Sequence, residues 1–449
     1  MNILLISANT LTTPYPVYPL GLDYVAGSIA PSHKVQIADM NVIDDYAALG
    51  KLISAFEPHI VGLALRNVDN TDATDSQAFM DHYKELAITV RRCSQALLVL
   101  GGSGFTLFPR EMMQVLKADY GVIGEGEHLT LLLDAIQNKT DVTAIPGVIC
   151  RTSSQSAPVP WEEPLTRHFE KHTPYIDFYL RHGGMLNLQT KRGCCYNCIY
   201  CTYPHIEGRR LRLFPPEDVA VTATRLQAAG AKYFFITDSV FNADYEHSLD
   251  VAHAFKKAGV SIPWGAFFAP TKPPPDYYKS LAEAGLTHVE FGTEALSNRM
   301  LESLRKPFQR RHVYAAHRNA RDAGLYTAHY FLFGGPGEDV LSLDTTLNNI
   351  EKLDRAALFF FCGVRIYPGA ALSAVALKQG QITPIQNLLA PVFYRSQGIS
   401  EREIIQRVRT RADGRPNWII GSGGVETSRI LARMYDRGFS GPLWEYLIR

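Results

Sequence analysis

The chain has almost no net charge, few cysteines and no long apolar run. Its 45 Lys and Arg stand against 44 Asp and Glu in 449 residues, a formal charge of +1. No basic tract stands out, so nucleic acid is not an expected partner. No apolar stretch approaches the ~20 residues that cross a bilayer, and no membrane span is expected. Met1-Asn-Ile-Leu-Leu-Ile6 has neither a basic flank nor a cleavage site. It reads as a first buried strand rather than a signal peptide. Seven cysteines are too sparse, and odd in number, for a disulfide framework. Free thiols suit a reducing, cytoplasmic location. With 46% hydrophobic residues, the chain can fill the cores of two or three domains.

Three of those cysteines are concentrated on one loop. Thr190-Lys-Arg-Gly-Cys-Cys-Tyr-Asn-Cys-Ile-Tyr-Cys-Thr-Tyr-Pro204 sets Cys194, Cys198 and Cys201 in a C-x₃-C-x₂-C spacing. A structural zinc ion usually takes four ligands, often as two short pairs. Cys93, Cys150, Cys195 and Cys362 supply no second C-x₂-C pair. Three thiolates on a loop that follows a strand-like run can instead grip one face of an iron–sulfur cube. A [4Fe–4S] cluster held by three ligands has one iron without a protein ligand. That iron can bind a small molecule and pass it an electron. Cys194, Cys198 and Cys201 are therefore the candidate metal ligands and the catalytic centre of a redox enzyme. Cys195 lies off the spacing and reads as a packing residue.

Residues 1–140 alternate short apolar runs with helical stretches, the pattern of a parallel sheet. Candidate strands are Ile3–Ser7, Lys34–Asp39, Ile60–Leu65, Leu97–Gly101 and Tyr120–Ile123, with a long helix over Asp75–Ser94. This predicts a doubly wound α/β domain whose ligands gather at the carboxyl ends of the strands. Residues 141–183 carry Pro146, Pro158, Pro160, Pro164 and Pro174 and read as a wrapping linker. A second alternation fills 184–370, with strands at Met185–Thr190, Tyr233–Thr237, Trp264–Phe268, His288–Gly292, Thr327–Phe333 and Leu358–Arg365. Six strand–helix units suit a partial (β/α)₆ barrel, with its site at the carboxyl strand ends. Residues 371–449 are expected to form a small helical cap.

The cysteine run, with Tyr200 just before the last cysteine, resembles the cluster motif of the radical S-adenosylmethionine (SAM) superfamily. The resemblance implies that the unique iron chelates the amino and carboxylate groups of SAM. It also implies that an electron from the cluster breaks a carbon–sulfur bond, usually giving a 5′-deoxyadenosyl radical. The protein's part is to orient that radical and exclude water. By the same resemblance, later strand ends hold SAM. Asp238 and Asn242 lie in Thr237-Asp-Ser-Val-Phe-Asn242, where Asp238 suits the ammonium; its ordinary use is a helix cap. Glu294 suits ribose hydroxyls, whereas Glu290 reads as structural. Gly334, Gly335 and Gly337 in Gly334-Gly-Pro-Gly-Glu338 permit close backbone approach. Arg365 suits a carboxylate, or equally a salt bridge to a neighbouring strand.

The domain order is similar to that of cobalamin-binding-domain radical SAM proteins over about residues 1–395. The shared segments include Gly101-Gly-Ser-Gly104, Ala118-Asp-Tyr-Gly-Val-Ile-Gly-Glu-Gly-Glu127 and Ile206-Glu-Gly-Arg-Arg210. The resemblance implies a Rossmann-like domain that holds cobalamin against the barrel. Gly101, Gly102 and Gly104 would lie beside its tail; Pro14–Pro19 and Arg66–Thr71 would face cobalt. The Asp-x-His-x-x-Gly motif that gives cobalt a histidine is absent from residues 1–140, where His33, His59, His82 and His128 lack that context. The expected function is a cobalamin-dependent radical SAM enzyme that forms a C–C or C–heteroatom bond on a small molecule, methyl transfer being the commonest outcome. Its electron donor would be a flavodoxin or ferredoxin. Two other readings stay open. One is cobalamin-independent transfer of a 3-amino-3-carboxypropyl group to a small acceptor such as arsenite. The other is a non-catalytic cluster or corrinoid carrier.

Overall fold

The structure, a computed structural model, describes residues 1–151, 157–169, 173–421 and 423–448. Parts of the expected linker, 152–156 and 170–172, lie outside the described residues. The first sheet contains β1 (Asn2–Ser7), β2 (Lys34–Asp39), β3 (Ile60–Ala64), β4 (Leu97–Gly101), β5 (Tyr120–Val122) and β6 (Val148–Cys150), in the order β2-β1-β3-β4-β5-β6. All neighbours are parallel except β6, which runs antiparallel to β5. The strand order reverses between β1 and β3, the crevice where doubly wound sheets take their ligands.

The second half begins with β7 (Met185–Leu188). A two-stranded ribbon of β8 (Lys191–Arg192) and β9 (Arg212–Leu213) then brackets the cysteine loop. Next come β10 (Tyr233–Ile236), β11 (Trp264–Phe268), β12 (Leu286–Glu294), β13 (Tyr326–Phe333) and β14 (Ala356–Cys362). A second ribbon joins β15 (Val364–Arg365) to β16 (Phe393–Tyr394), and the last strand is β17 (Trp418–Ile420). The barrel sheet is parallel, in the order β17-β14-β13-β12-β11-β10-β7. It gains a seventh strand from the segment expected to be helical: β17 pairs Trp418–Ile420 with Leu358–Phe360.

Local chemistry explains the crossovers. Pro216 opens the helix Pro216–Ala228 where its missing N–H costs nothing, and Glu217 and Asp218 suit the helix dipole. Asp244 and Asp339 cap Tyr245–Lys257 and Val340–Ile350 by accepting backbone N–H bonds. The helices bury one face of the barrel sheet, with Phe234, Phe291, Phe331 and Phe360 all 0% exposed. The two halves share a core, in which Leu304, Val364, Ile366 and Leu372 pack with Leu63, Leu65, Phe105 and Phe108.

Candidate functional site

The loop between β8 and β9 is pinned at both ends and in the middle. Gly193 has φ +94°, and a side chain there would collide with the carbonyl of Arg210, so only glycine turns the chain into the loop. Its N–H donates to Glu207 (3.1 Å) and its carbonyl accepts from the Ser239 hydroxyl (2.9 Å). The Cys194 N–H donates to the Gly208 carbonyl (3.0 Å), and the Cys201 N–H to that of Cys198 (3.2 Å). Buried Ile199 donates to Leu304 (3.2 Å) and accepts from Leu372 (2.8 Å). Cys194 is buried, Cys198 and Cys201 are half-buried, and Cys195 is exposed.

The thiols sit where bare charge is costly. Burial pushes Cys201 up to about 12. Burial also raises Cys198, against the pull of the Lys306 ammonium. For Lys306, burial opposes the charge, but Glu294 and Cys198 outweigh it and hold the group at about 12. Thiolates in such a place need positive charge beside them, which a metal cluster supplies. Among the described residues no three His, Cys, Asp or Glu side chains converge on a single metal ion. A cube makes no such demand, since each thiolate binds a different iron. The three cysteines therefore fit a [4Fe–4S] cluster.

Most other expected site residues make contacts within the chain. Asp238 is 1% exposed and accepts from Thr190 N–H (2.8 Å), the Thr190 hydroxyl (2.6 Å) and Lys191 Nζ (2.7 Å). It anchors the strand that leads into the cysteine loop. Asn242 clamps the end of β11 through both backbone groups of Ala269, at 2.8 and 2.9 Å. Glu294 accepts from the Tyr200 hydroxyl (2.7 Å) and pairs with Lys306 (2.8 Å), which braces the loop between Cys198 and Cys201. The Gly334 N–H donates to Glu338 (2.5 Å), and a side chain at Gly335 would press on Leu304. Gly337 has open space around it, at φ +81°. Arg365 is 5% exposed, pairs with Asp69 (2.8 Å) and donates to the Leu388 carbonyl (2.7 Å), so it ties the first half to the second. Glu290 accepts from Tyr330 (2.7 Å) and Trp444 (2.9 Å), as a structural residue would.

A cavity of about 300 Å³ opens where the two halves meet, within a wider cleft of about 1480 Å³ that includes open solvent. On one side it is lined by Leu5 and Ser7 of β1, Gly62–Ala64 of β3, Val99–Gly101 of β4, and the loop Gly124–Glu127. On the other lie Asn187, Gln189, Tyr203 and Ile206. A side chain at Gly62 would crowd Leu5 (2.9 Å) and one at Gly126 would crowd Val25 (2.6 Å), so the glycines keep the bed open. Gly102 and Gly104 serve a tighter purpose: a Cβ on either would sit 2.8–2.9 Å from the Leu65 carbonyl. Among the described residues no histidine lines this cavity. His33, His59, His82 and His128 instead bond the N-terminus, Asn2, Tyr46 and Glu125 respectively. Of the segment Arg66–Thr71, only Arg66 reaches the lining. An open glycine bed at the strand reversal fits a corrinoid.

One polar clamp was not foreseen. Buried Arg192 pairs with Glu125 (3.0 Å) and Glu127 (2.6 Å). Arg212 also pairs with Glu125. Two adjacent cations just before Gly193, and the Gly-Glu-Gly-Glu run after β5, are the sequence signals. Nothing in their spacing says that they meet.

Two domain families match along the chain. The B12 binding domain covers residues 6–133 and the Radical SAM superfamily covers residues 188–350. The chain is a radical SAM enzyme with an N-terminal B12-binding domain. This radical SAM enzyme is 28% identical to an uncharacterized methyltransferase of Pyrococcus horikoshii over 371 residues, 80% of this chain and 78% of that protein. It is 26% identical to the tryptophan 2-C-methyltransferase of Streptomyces laurentii over 439 residues, 81% of this chain and 73% of that protein. Its fold matches the radical SAM methyltransferase TsrM of Kitasatospora setae, solved with cobalamin and a [4Fe–4S] cluster, with a TM-score of 0.87 at 20% identity over 99% and 97% of the two chains. The two domains imply a [4Fe–4S] cluster, SAM and cobalamin as cofactors. No helix among the described residues is long and apolar enough to cross a membrane.

Proposed function

We propose that this radical SAM enzyme moves a methyl group from SAM, by way of cobalamin, to a carbon or heteroatom of a small molecule. One observation carries the reading. The glycine-lined bed at the ends of β1, β3 and β4 shares a single cavity with Asn187 and Gln189 of the barrel and with Tyr203 beside Cys201. A corrinoid and a cluster placed there would face one space. The names of the relatives, which are methyltransferases, support the same reading.

When bound, the cluster would supply an electron to SAM, and cobalamin would carry the methyl group between SAM and the acceptor. The chain's own residues hold and shield. Cys194, Cys198 and Cys201 would ligate the cluster. Tyr200, Glu294 and Lys306 brace the loop wall through the 2.7 and 2.8 Å contacts of Glu294. Gly62, Gly101 and Gly126 leave room for the macrocycle. We place the enzyme in a reducing cytoplasm, with a flavodoxin or ferredoxin as electron donor and no nucleic-acid partner.

The test is anaerobic reconstitution with iron, sulfide and cobalamin, followed by product analysis of SAM. Methyl transfer predicts S-adenosylhomocysteine, formed only with cobalamin, and radical methylation adds 5′-deoxyadenosine. Methylthioadenosine made equally well without cobalamin would replace this reading with aminocarboxypropyl transfer. No SAM turnover at all would leave a carrier.

A further inference from the structure

The two faces of the barrel sheet bury their aromatic rings very differently. On the helix side, Phe234, Phe268 and Phe360 are at most 1% exposed. On the opposite side, Phe267 is 38% exposed, although β11 is an inner strand paired on both edges. Both faces of an inner parallel strand are normally covered. An exposed ring there marks a surface left open for something else.

That ring belongs to a ladder. Phe235 meets Phe267 edge-on at 4.9 Å, and Phe267 meets Tyr330 edge-on at 6.2 Å. Tyr330 stacks on Phe359 at 4.8 Å and near Phe361 at 6.4 Å. The sheet register puts the ladder on the cavity side. Phe235 is paired with Asn187, a lining residue, and Thr237, two residues beyond Phe235, also lines the cavity. The lower end of this face is closed by Trp444, which packs on Ala328 and Ala357. The upper end faces the cofactor space.

The chemistry of the wall is apolar and π-rich. Both oxygens of Glu290, the sheet partner of Phe267, are taken by Tyr330 and Trp444. Among the described residues no Lys or Arg cation lies over any of the five rings. No such cation competes for the ring faces, and a flat ring would find edges and faces to match.

We infer that the acceptor of this enzyme carries a planar aromatic ring, which lies against Phe267 between Phe235 and Tyr330. The inference rests on the methyl-transfer reading only for what the bound ring receives. The ring's binding is measured separately from turnover. Phe267 sets specificity and takes no part in the chemistry.

The probes are 2-naphthol and decahydro-2-naphthol, both neutral and built on one skeleton, the first flat and the second puckered. Each is titrated calorimetrically into holoenzyme loaded with cluster and cobalamin. The flat probe should bind about three- to tenfold tighter than the puckered one. Phe267→Leu should erase that preference and Phe267→Tyr should keep it, with iron and cobalt content confirming that both variants fold. Equal binding of the two probes, no binding of the flat probe, or a preference that survives Phe267→Leu would overturn the inference. Absence of S-adenosylhomocysteine in the SAM assay would instead sink methyl transfer and leave the binding result standing.

Discussion

The carboxyl ends of the two sheets are built on opposite terms. In the first sheet they are glycine and apolar side chains around an open cavity, as at Leu5, Gly62 and Gly101. In the barrel they carry polar residues that suit a ligand by type, and nearly all of these are satisfied within the chain. Asp238 holds Thr190 and Lys191, Asn242 holds Ala269, Glu294 holds Tyr200 and Lys306, and Arg365 holds Asp69. A carboxylate at a strand end can thus fix the loop that carries the chemistry without meeting the substrate. An empty-looking glycine end can be where the larger cofactor goes.

The sharpest way to break this contrast is at the cysteines. Alanine at Cys194, Cys198 or Cys201 should abolish both iron binding and SAM turnover; full activity in any one of these variants would refute the ligand assignment. Next in size is the barrel's internal anchoring. Asp238→Asn leaves the 1%-exposed Lys191 ammonium without its counter-charge. The expected loss is about 3–5 kcal/mol of stability, read as a lower thermal midpoint. A normal midpoint with weakened SAM binding would return Asp238 to the ligand site.

Glu338 offers a pH test of the same ends. Burial raises its carboxyl from 4.5 to about 7. The folded chain keeps a proton that the unfolded chain releases between those values, so stability falls as pH rises through that window and levels above it. The group contributes up to about 3 kcal/mol of that change. Glu338→Gln should flatten the difference between urea titrations at about pH 5 and about pH 7.5; an unaltered difference would show that another group is responsible.

In the first sheet, Gly102→Ala forces a side chain onto φ +101° and within 2.8 Å of the Leu65 carbonyl. The change should cost about 1–3 kcal/mol and lower cobalt per chain while iron stays; equal loss of both metals would mean that the two sites are not separable. The smallest effect is expected at exposed Cys195, where alanine should leave iron content and activity within about twofold, as for a surface change. Loss of the cluster there would redraw the ligand set.

The strands were legible where apolar runs are long and bounded by turn residues. Lys34–Asp39, Leu97–Gly101 and Trp264–Phe268 match the expected limits residue for residue. Beyond the short ribbons, two strands of the main sheets escaped. Val148–Cys150 and Trp418–Ile420 are three residues each, too short for a period, and form only because β5 and β14 offer them an edge. The helix expected from Asp75 starts at Met80, because Phe79 bonds back to Val68 and Asn70 to Gln77. The cysteine loop was legible because its spacing is local. The pairings of Asp238 with Lys191, Glu294 with Tyr200 and Arg365 with Asp69 were not, because the partners lie 47, 94 and 296 residues apart in sequence.

The Arg192 clamp makes the corrinoid bed and the cluster loop one mechanical unit. Arg192 stands two residues before Cys194 and grips both glutamates of the Gly124–Glu127 turn. A shift of that turn pulls directly on the backbone leading into the cysteine loop. Occupancy of either cofactor should therefore be felt equally at the other, without any hinge.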